Sequence, residues 1–255
     1  MTRRRSAKPR LWTPAQTVQR LRPIHGPVDV PRQLDPLEEL IFTILSQSTT
    51  DTNSERAFTA LRKRFPDWEQ LRRARVASIT AAIRQAGLAN QKAPRIKRIL
   101  SELHKRHGIA SLDHLEDMND AEAVEYLTAF DGVGPKTAAC VLLFACRRPV
   151  LPVDTHVHRV SGRLGLIGPR VTAHQAHDEL GAMVAPRLVL DFHVLLIRHG
   201  RTTCKAQRPR CDDCVLRQRC PMGLAMPAQV RAKPRASKKA ARKRAKEQPH
   251  VPPRG

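Results

Sequence analysis

Asp131-Gly132-Val133-Gly134-Pro135-Lys136-Thr137-Ala138 and Leu151-Pro152-Val153-Asp154-Thr155-His156 bracket the stretch whose reading decides how this chain folds. The first segment is a glycine turn that runs into a proline and a lysine, and the second ends on an aspartate at the start of another helix. Glycines permit positive φ and close backbone approach, while the N-terminus of a following helix offers unpaired N–H groups to an anion such as a DNA phosphate. A lysine and a carboxylate are thereby delivered from two different helix starts. Each has a plainer alternative: Lys136 as a phosphate-binding lysine without chemistry, and Asp154 as a helix N-cap.

Working outward, helical periodicity dominates. Pro14 to Leu21 forms a short helix. Asp35-Pro36-Leu37-Glu38 combines an acidic N-cap, a first-turn proline and a capping glutamate, after which Leu37, Leu40, Ile41, Ile44 and Leu45 recur on one face. That helix stops at Ser46-Gln47-Ser48-Thr49-Thr50-Asp51. Asp51 or Thr52 caps the next, and shorter helices follow at Trp68 to Leu71 and Val76 to Ala86, the latter closed by Gly87. Lys92 to His107, Asp120 to Ala129, Lys136 to Cys146, Asp154 to Leu164, Thr172 to Val184 and Arg187 to His199 complete the set. No long stretch alternates with period two, so the fold class is all-α, with a composition break near Pro149 to Pro152.

The chain has 255 residues and carries 46 Lys+Arg against 23 Asp+Glu, a net charge of +23, which points to a polyanionic partner. Five basic residues fall in positions 1–10, and ten against one acid in 228–255. These two ends read as solvated, disordered basic tails that add affinity without chemistry. With only nine aromatic residues, a stacking platform for single strands is poorly supported, and duplex backbone recognition fits better. No segment approaches the ~20 apolar residues that span a bilayer, and no secretory signal is evident. The expectation is an intracellular protein, cytoplasmic and nucleoid-associated, with no membrane partner.

Cys204, Cys211, Cys214 and Cys220 are separated by six, two and five residues. Four thiolates so close together suit either a tetrahedral zinc site or an iron–sulfur cluster, and generic ligand chemistry does not choose between them. The intervening Lys205, Arg208 and Arg210 would offer phosphates a basic loop. Cys140 and Cys146 sit in an apolar helix and read as core.

Val133-Gly134-Pro135-Lys136-Thr137-Ala138, with Val153-Asp154-Thr155-His156 placing its aspartate eighteen residues after the lysine, resembles the endonuclease III family of helix-hairpin-helix DNA glycosylases over roughly residues 30–224. The cysteine spacing, preceded by His199-Gly200-Arg201, is similar to that family's [4Fe-4S] site. The resemblance implies a six-helix barrel with the helix-hairpin-helix (29–147), a [4Fe-4S] cluster domain (148–224) joined by an N-terminal segment (14–28), and a DNA groove between them. Residues 1–13 and 225–255 remain as a basic arm and tail.

It also implies the activity: a bifunctional glycosylase and abasic-site lyase, working as a monomer on duplex DNA with oxidised pyrimidines or abasic sites. Lys136 is the nucleophile and Asp154 its charge partner. The lysine would need its pKa lowered, by partial burial and nearby positive charge. Gly132, Val133, Gly134 and Thr137 grip the backbone, Leu88 wedges into the duplex, and Gln47 or Ser48 fills the gap left by the extruded base. The chain has Ser48 where the family has its gap-filling glutamine, with Gln47 one residue earlier. Phe130-Asp131 replaces the family's usual Leu-Pro, and an acid there would repel a phosphate. Same-fold and other-class alternatives are a monofunctional or mismatch glycosylase and a noncatalytic DNA-binding iron–sulfur module. Zinc is the alternative to the cluster. His156, His158, His193 and His199 read as capping, core or surface residues.

Overall fold

The computed structural model describes residues 10–29 and 33–226, and the N-terminal arm and the C-terminal tail fall largely outside them. Among the described residues there is no strand, as the periodicity predicts. In chain order the helices are α1 (Pro14–His25), α2 (Pro36–Ser46), α3 (Asp51–Arg64), α4 (Trp68–Arg73), α5 (Val76–Ala82), α6 (Ala89–His107), α7 (Asp120–Thr128), α8 (Pro135–Cys140), α9 (Thr155–Leu164), α10 (Ala173–Met183), α11 (Val189–Thr202) and α12 (Pro221–Ala225).

Local signals explain most boundaries. Asp35 accepts a hydrogen bond from the Glu38 amide while Glu38 reaches back to the Asp35 amide, a capping box with Pro36 in the first turn. Losing such a cap costs about 1 kcal/mol. α3 is capped by Thr50, which accepts from the Asn53 amide, and not by Asp51 or Thr52. A hydroxyl one residue earlier satisfies the N3 donor equally well. α6 begins at Ala89, three residues before the periodicity alone suggests, and ends at left-handed Gly108. The apolar helix after the glycine turn is not uniformly α-helical: α8 passes into a single π turn at Val141–Ala145.

The chain divides into a unit spanning Met1–Ala225 and another, Met226–Gly255, of which only Met226 is described. Within the first, buried apolar side chains form two clusters. One gathers α2, α3, α6 and α7 around Leu40, Ile44, Leu61, Ile96 and Leu127. The other gathers Trp12, just ahead of α1, with Leu21, Val157, Leu164, Phe192 and Leu196 from α1, α9 and α11. Leu142 belongs to the first and its neighbour Leu143 to the second, so the π turn is a wall shared by both. Successive helical residues point about 100° apart, which sends these two neighbours to different cores.

Candidate active site

The glycine turn is held by its own backbone. The Val133 amide donates to the Phe130 carbonyl at 3.0 Å, and the Thr137 and Ala138 amides to the Gly134 carbonyl at 2.9 and 3.0 Å. Gly132 has φ +76°, a conformation that favours glycine, and a Cβ there would also displace the Arg95 guanidinium. Gly132 and Gly134 are exposed, whereas Val133 and Thr137 are buried and their amides are already spent within the turn. The expected repulsion from Asp131 is answered within the protein, because Arg98 of α6 pairs with it.

Gln47 and Ser48 part company. The Gln47 amide donates to the Gly132 carbonyl and to Thr137 Oγ1, and accepts from Arg95, each at 3.4 Å. Ser48 is exposed in the left-handed region at φ +54°. The glutamine therefore braces the hairpin, and the serine stands at the surface. Leu88 is also left-handed, at φ +50°, and 50% exposed. That conformation costs a non-glycine residue about 1–2 kcal/mol.

A residue that the sequence did not single out holds both turns. Lys92 is 2% exposed, and its ammonium donates to the carbonyls of Leu45 and Gln47, each at 2.7 Å, and of Ala86 at 2.9 Å. It satisfies the orphan carbonyls at the end of α2 and beneath Leu88 at once. Burial, aided by the neighbouring Arg95 charge, pushes its pKa down to about 8.

Lys136 behaves in the opposite way. Its pKa is raised, first by Cys140, which lies one turn along and hydrogen-bonds it, and then by the negative charges of Asp154 and Glu39; burial opposes them. The requirement for a lowered pKa is thus not met in the free protein, because the groups packed around the ammonium are acids and a thiol. Cys140 itself is pushed up by burial, so it is a neutral thiol at neutral pH. Asp154 caps α9 through Oδ1, which accepts the His156 and Val157 amides at 2.9 and 2.7 Å. Its charge reaches Lys136 without an ion pair between the two among the described contacts. The extended segment that delivers Asp154 is pinned by two histidines, His177 to the Leu151 carbonyl (3.1 Å) and His193 to the Pro152 carbonyl (2.8 Å).

Beside this cluster opens a cavity of about 330 Å³, lined among others by Glu39, Phe42, Asp51, Phe144, His193 and Arg201. Two of these, Glu39 and His193, interact electrostatically with Lys136. Arg201 and Asp51 form an ion pair at its rim, which holds the Asp51 carboxyl below its ordinary range.

Cys204, Cys211, Cys214 and Cys220 are free thiols that line one small cavity beyond α11, together with His199 and Arg163. Burial first, and then the other three cysteines, raise the Cys214 pKa to about 11. Such crowding is relieved when cationic metal takes the sulfurs as thiolates. Among the described residues no three His, Cys, Asp or Glu side chains are arranged to hold one metal ion. The sulfurs surround a space and do not converge on a point. His199 Nε2 lies 3.5 Å from Cys214 Sγ, and Arg163 donates to Cys204 Sγ at 3.3 Å and to the Lys205 and Ala206 carbonyls at 2.7 and 2.9 Å. This bracing by Arg163 carries no sequence signal. Lys205 and Arg208 are exposed, but Arg210 is tied to Asp213 at 2.7 Å, which spends its charge locally.

A family model, the HhH-GPD superfamily base excision DNA repair protein, matches residues 41–186. A relative from Arabidopsis thaliana is 37% identical over 189 residues, 71% of this chain, and the chain spans 64% of that relative's length. An endonuclease III of Sulfolobus acidocaldarius is 36% identical over 183 residues, covering 71% of this chain and 79% of the relative. A solved structure of a trapped covalent endonuclease III–DNA intermediate superposes with a TM-score of 0.72 at 26% identity, over 84% of this chain and 98% of the other.

Proposed function

The chain belongs to the HhH-GPD superfamily of base excision DNA repair proteins as an endonuclease III-like DNA glycosylase, and from that premise we propose that it is bifunctional, removing oxidised pyrimidines from duplex DNA and cutting the strand at the resulting site. The observation that carries the reading is the grouping of Cys140, Asp154 and Glu39 around Lys136 in electrostatic contact, with Glu39 also lining an open cavity.

A raised lysine pKa suits a particular order of events. The extruded base enters the cavity, and its C1′–N bond breaks with the electron pair leaving on the base. The Lys136 ammonium supplies the proton that this base takes up. Asp154 stabilises the oxocarbenium-like sugar left behind. The lysine, now a neutral amine, adds to C1′, and ring opening protonates O4′ and leaves an iminium between Nζ and C1′. Loss of the C2′ proton then expels the 3′ phosphate with its bonding electrons. Burial lowers the cost of this transfer by disfavouring the charged lysine once its proton has a destination.

Two surfaces would hold the duplex, as phosphate contacts that position without reading sequence. One is the exposed backbone of Gly132 and Gly134, with Leu88 and Ser48 presented from turns fastened by Lys92. The other is the loop carrying Lys205 and Arg208, with Arg210 contributing less because of Asp213. The four cysteines would hold a [4Fe-4S] cluster, which endonuclease III homologues typically carry, and the cluster would fix that loop and not take part in the chemistry. The protein acts as a monomer in this scheme.

Borohydride trapping tests the reading. Wild-type protein should form a covalent adduct with a duplex containing an abasic site or an oxidised pyrimidine, and Lys136→Gln should not. Base release without any adduct would instead assign a monofunctional glycosylase. Iron analysis with a broad visible absorption would support the cluster, and a colourless zinc protein would overturn it.

A further inference from the structure

Between the hairpin and the Gln47 turn lies a cation without a counterion. Arg95 stands on α6 one turn after Lys92, so the two share a side of the helix. Its Nε is buried and makes no hydrogen bond, and Nη1 reaches only Gln47 Oε1, at a long 3.4 Å. No carboxylate pairs with it among the described residues, and the hairpin's own acid, Asp131, is held by Arg98. The guanidinium fills the space that a Cβ on Gly132 would take, so it packs directly on the turn. A half-buried cation with neither an ion pair nor its full set of acceptors is costly to keep. Lys92 adds to the imbalance, because its ammonium is spent on three neutral carbonyls, and burial and then Arg95 already press its pKa down. What this corner lacks is negative charge. A base edge offers neutral acceptors, whereas a phosphate brings a formal charge and paired oxygens that match a guanidinium fork. Gln47 competes weakly for that fork, since its bonds to the Gly132 carbonyl and to Thr137 Oγ1 are also 3.4 Å long.

We propose that Arg95 is a phosphate ligand of the duplex, closing its free N–H groups on a backbone phosphate seated at the exposed glycines of the hairpin, Gly132 and Gly134. This inference rests on the DNA-binding part of the reading above and deepens it, by supplying a side-chain charge to a grip that otherwise consists of backbone. A phosphate contact positions the duplex without reading its sequence. The effect of Arg95 should therefore be the same on damaged and undamaged DNA, and indifferent to the base opposite the lesion.

The test measures Kd from about 50 to 200 mM salt for wild type, Arg95→Met, Arg95→Lys and Arg187→Met, with thermal unfolding of each as a check on the fold. Two duplexes are used, one undamaged and one carrying a tetrahydrofuran abasic analogue, which cannot form the imine. Arg187, exposed just ahead of α11, controls for the loss of one positive charge. Arg95→Met should weaken binding about tenfold at the lowest salt and reduce the slope of log Kd against log salt by about 0.9, the value for one phosphate contact. Both duplexes should lose equally, whichever base lies opposite the analogue. Arg95→Lys keeps the charge and should keep the slope, with a smaller loss of affinity from the missing fork. Arg187→Met should leave the slope as in wild type. Arg95→Gln, which keeps a polar tip over Gly132, gives the same reading should Arg95→Met not fold. An unchanged slope in the Arg95 variants that lose the charge, a loss confined to one opposite base, or an equal change in Arg187→Met would overturn the assignment. A wild-type protein that binds neither duplex would instead sink the reading on which it rests.

Discussion

Two lysines in this molecule have opposite fates. Lys92, at the turn end of α6, is enclosed by carbonyl groups and an arginine, and its pKa falls to about 8. Lys136, at the start of α8, is enclosed by a thiol and two carboxylates, and its pKa rises. Burial acts downward on both, so burial does not distinguish them. Their polar neighbours do: Cys140, which hydrogen-bonds Lys136, and the carboxylates of Asp154 and Glu39 favour its ammonium, whereas Lys92 has the Arg95 cation beside it. The lysine with the lowered pKa is the structural one, and the proposed nucleophile is held as a proton donor until a substrate takes its proton.

The sharpest way to break this contrast is to remove each amine. Lys136→Gln should abolish the borohydride adduct and lower single-turnover strand cleavage by on the order of 10³ or more, with the unfolding midpoint little changed. Lys92→Met should do the reverse. It leaves three buried carbonyls without their donor, and denaturant unfolding should register a loss of about 2–5 kcal/mol. Residual folded protein should still form the adduct on an abasic duplex.

Next in size is a pH effect on chemistry. Since Lys136 is raised, the free amine is scarce at neutral pH, and trapping on a preformed abasic site should quicken about tenfold per pH unit and still be rising at about pH 9. A plateau near neutrality would show that DNA binding or a local group lowers that pKa. The smallest expected effect concerns stability. Lys92 has a folded pKa near 8 against an ordinary 10.5. Its favourable contribution is therefore fully present only above the unfolded value and is lost as pH falls through about 8. The stability of wild type relative to Lys92→Met should accordingly grow by about 1 kcal/mol between about pH 7 and pH 9.

Much of the fold was legible because its signals are local. Asp35 with Glu38, Gly108, Asp154 and the apolar spacing of α2 and α6 each act within a turn or two of their own position. The site was legible in part. Lys136 and Asp154 announce themselves by motif, and the structure brings both into one electrostatic cluster. Asp131 looked like a liability at a phosphate grip until Arg98 was found paired with it from another helix. Val133 and Thr137 read as contact residues from the motif, yet their side chains point into the core. Gln47 and Ser48 could not be told apart by spacing, since their difference lies in whether the hairpin is within reach.

By itself, the sequence determined the all-α class, the family and the positions of the proposed nucleophile, its proposed charge partner and the four cysteines. Spacing along one chain suffices for these, because helical phase and motif order are short-range properties. Only the tertiary structure decided the sign of the Lys136 shift, the anchoring role of Lys92, and the presence of Glu39 and His193 at the cavity. Those depend on which charges and carbonyls meet from segments far apart in the chain. Electrostatic energy is fixed by distance in space and by how much water is excluded, and neither quantity is written in the order of residues.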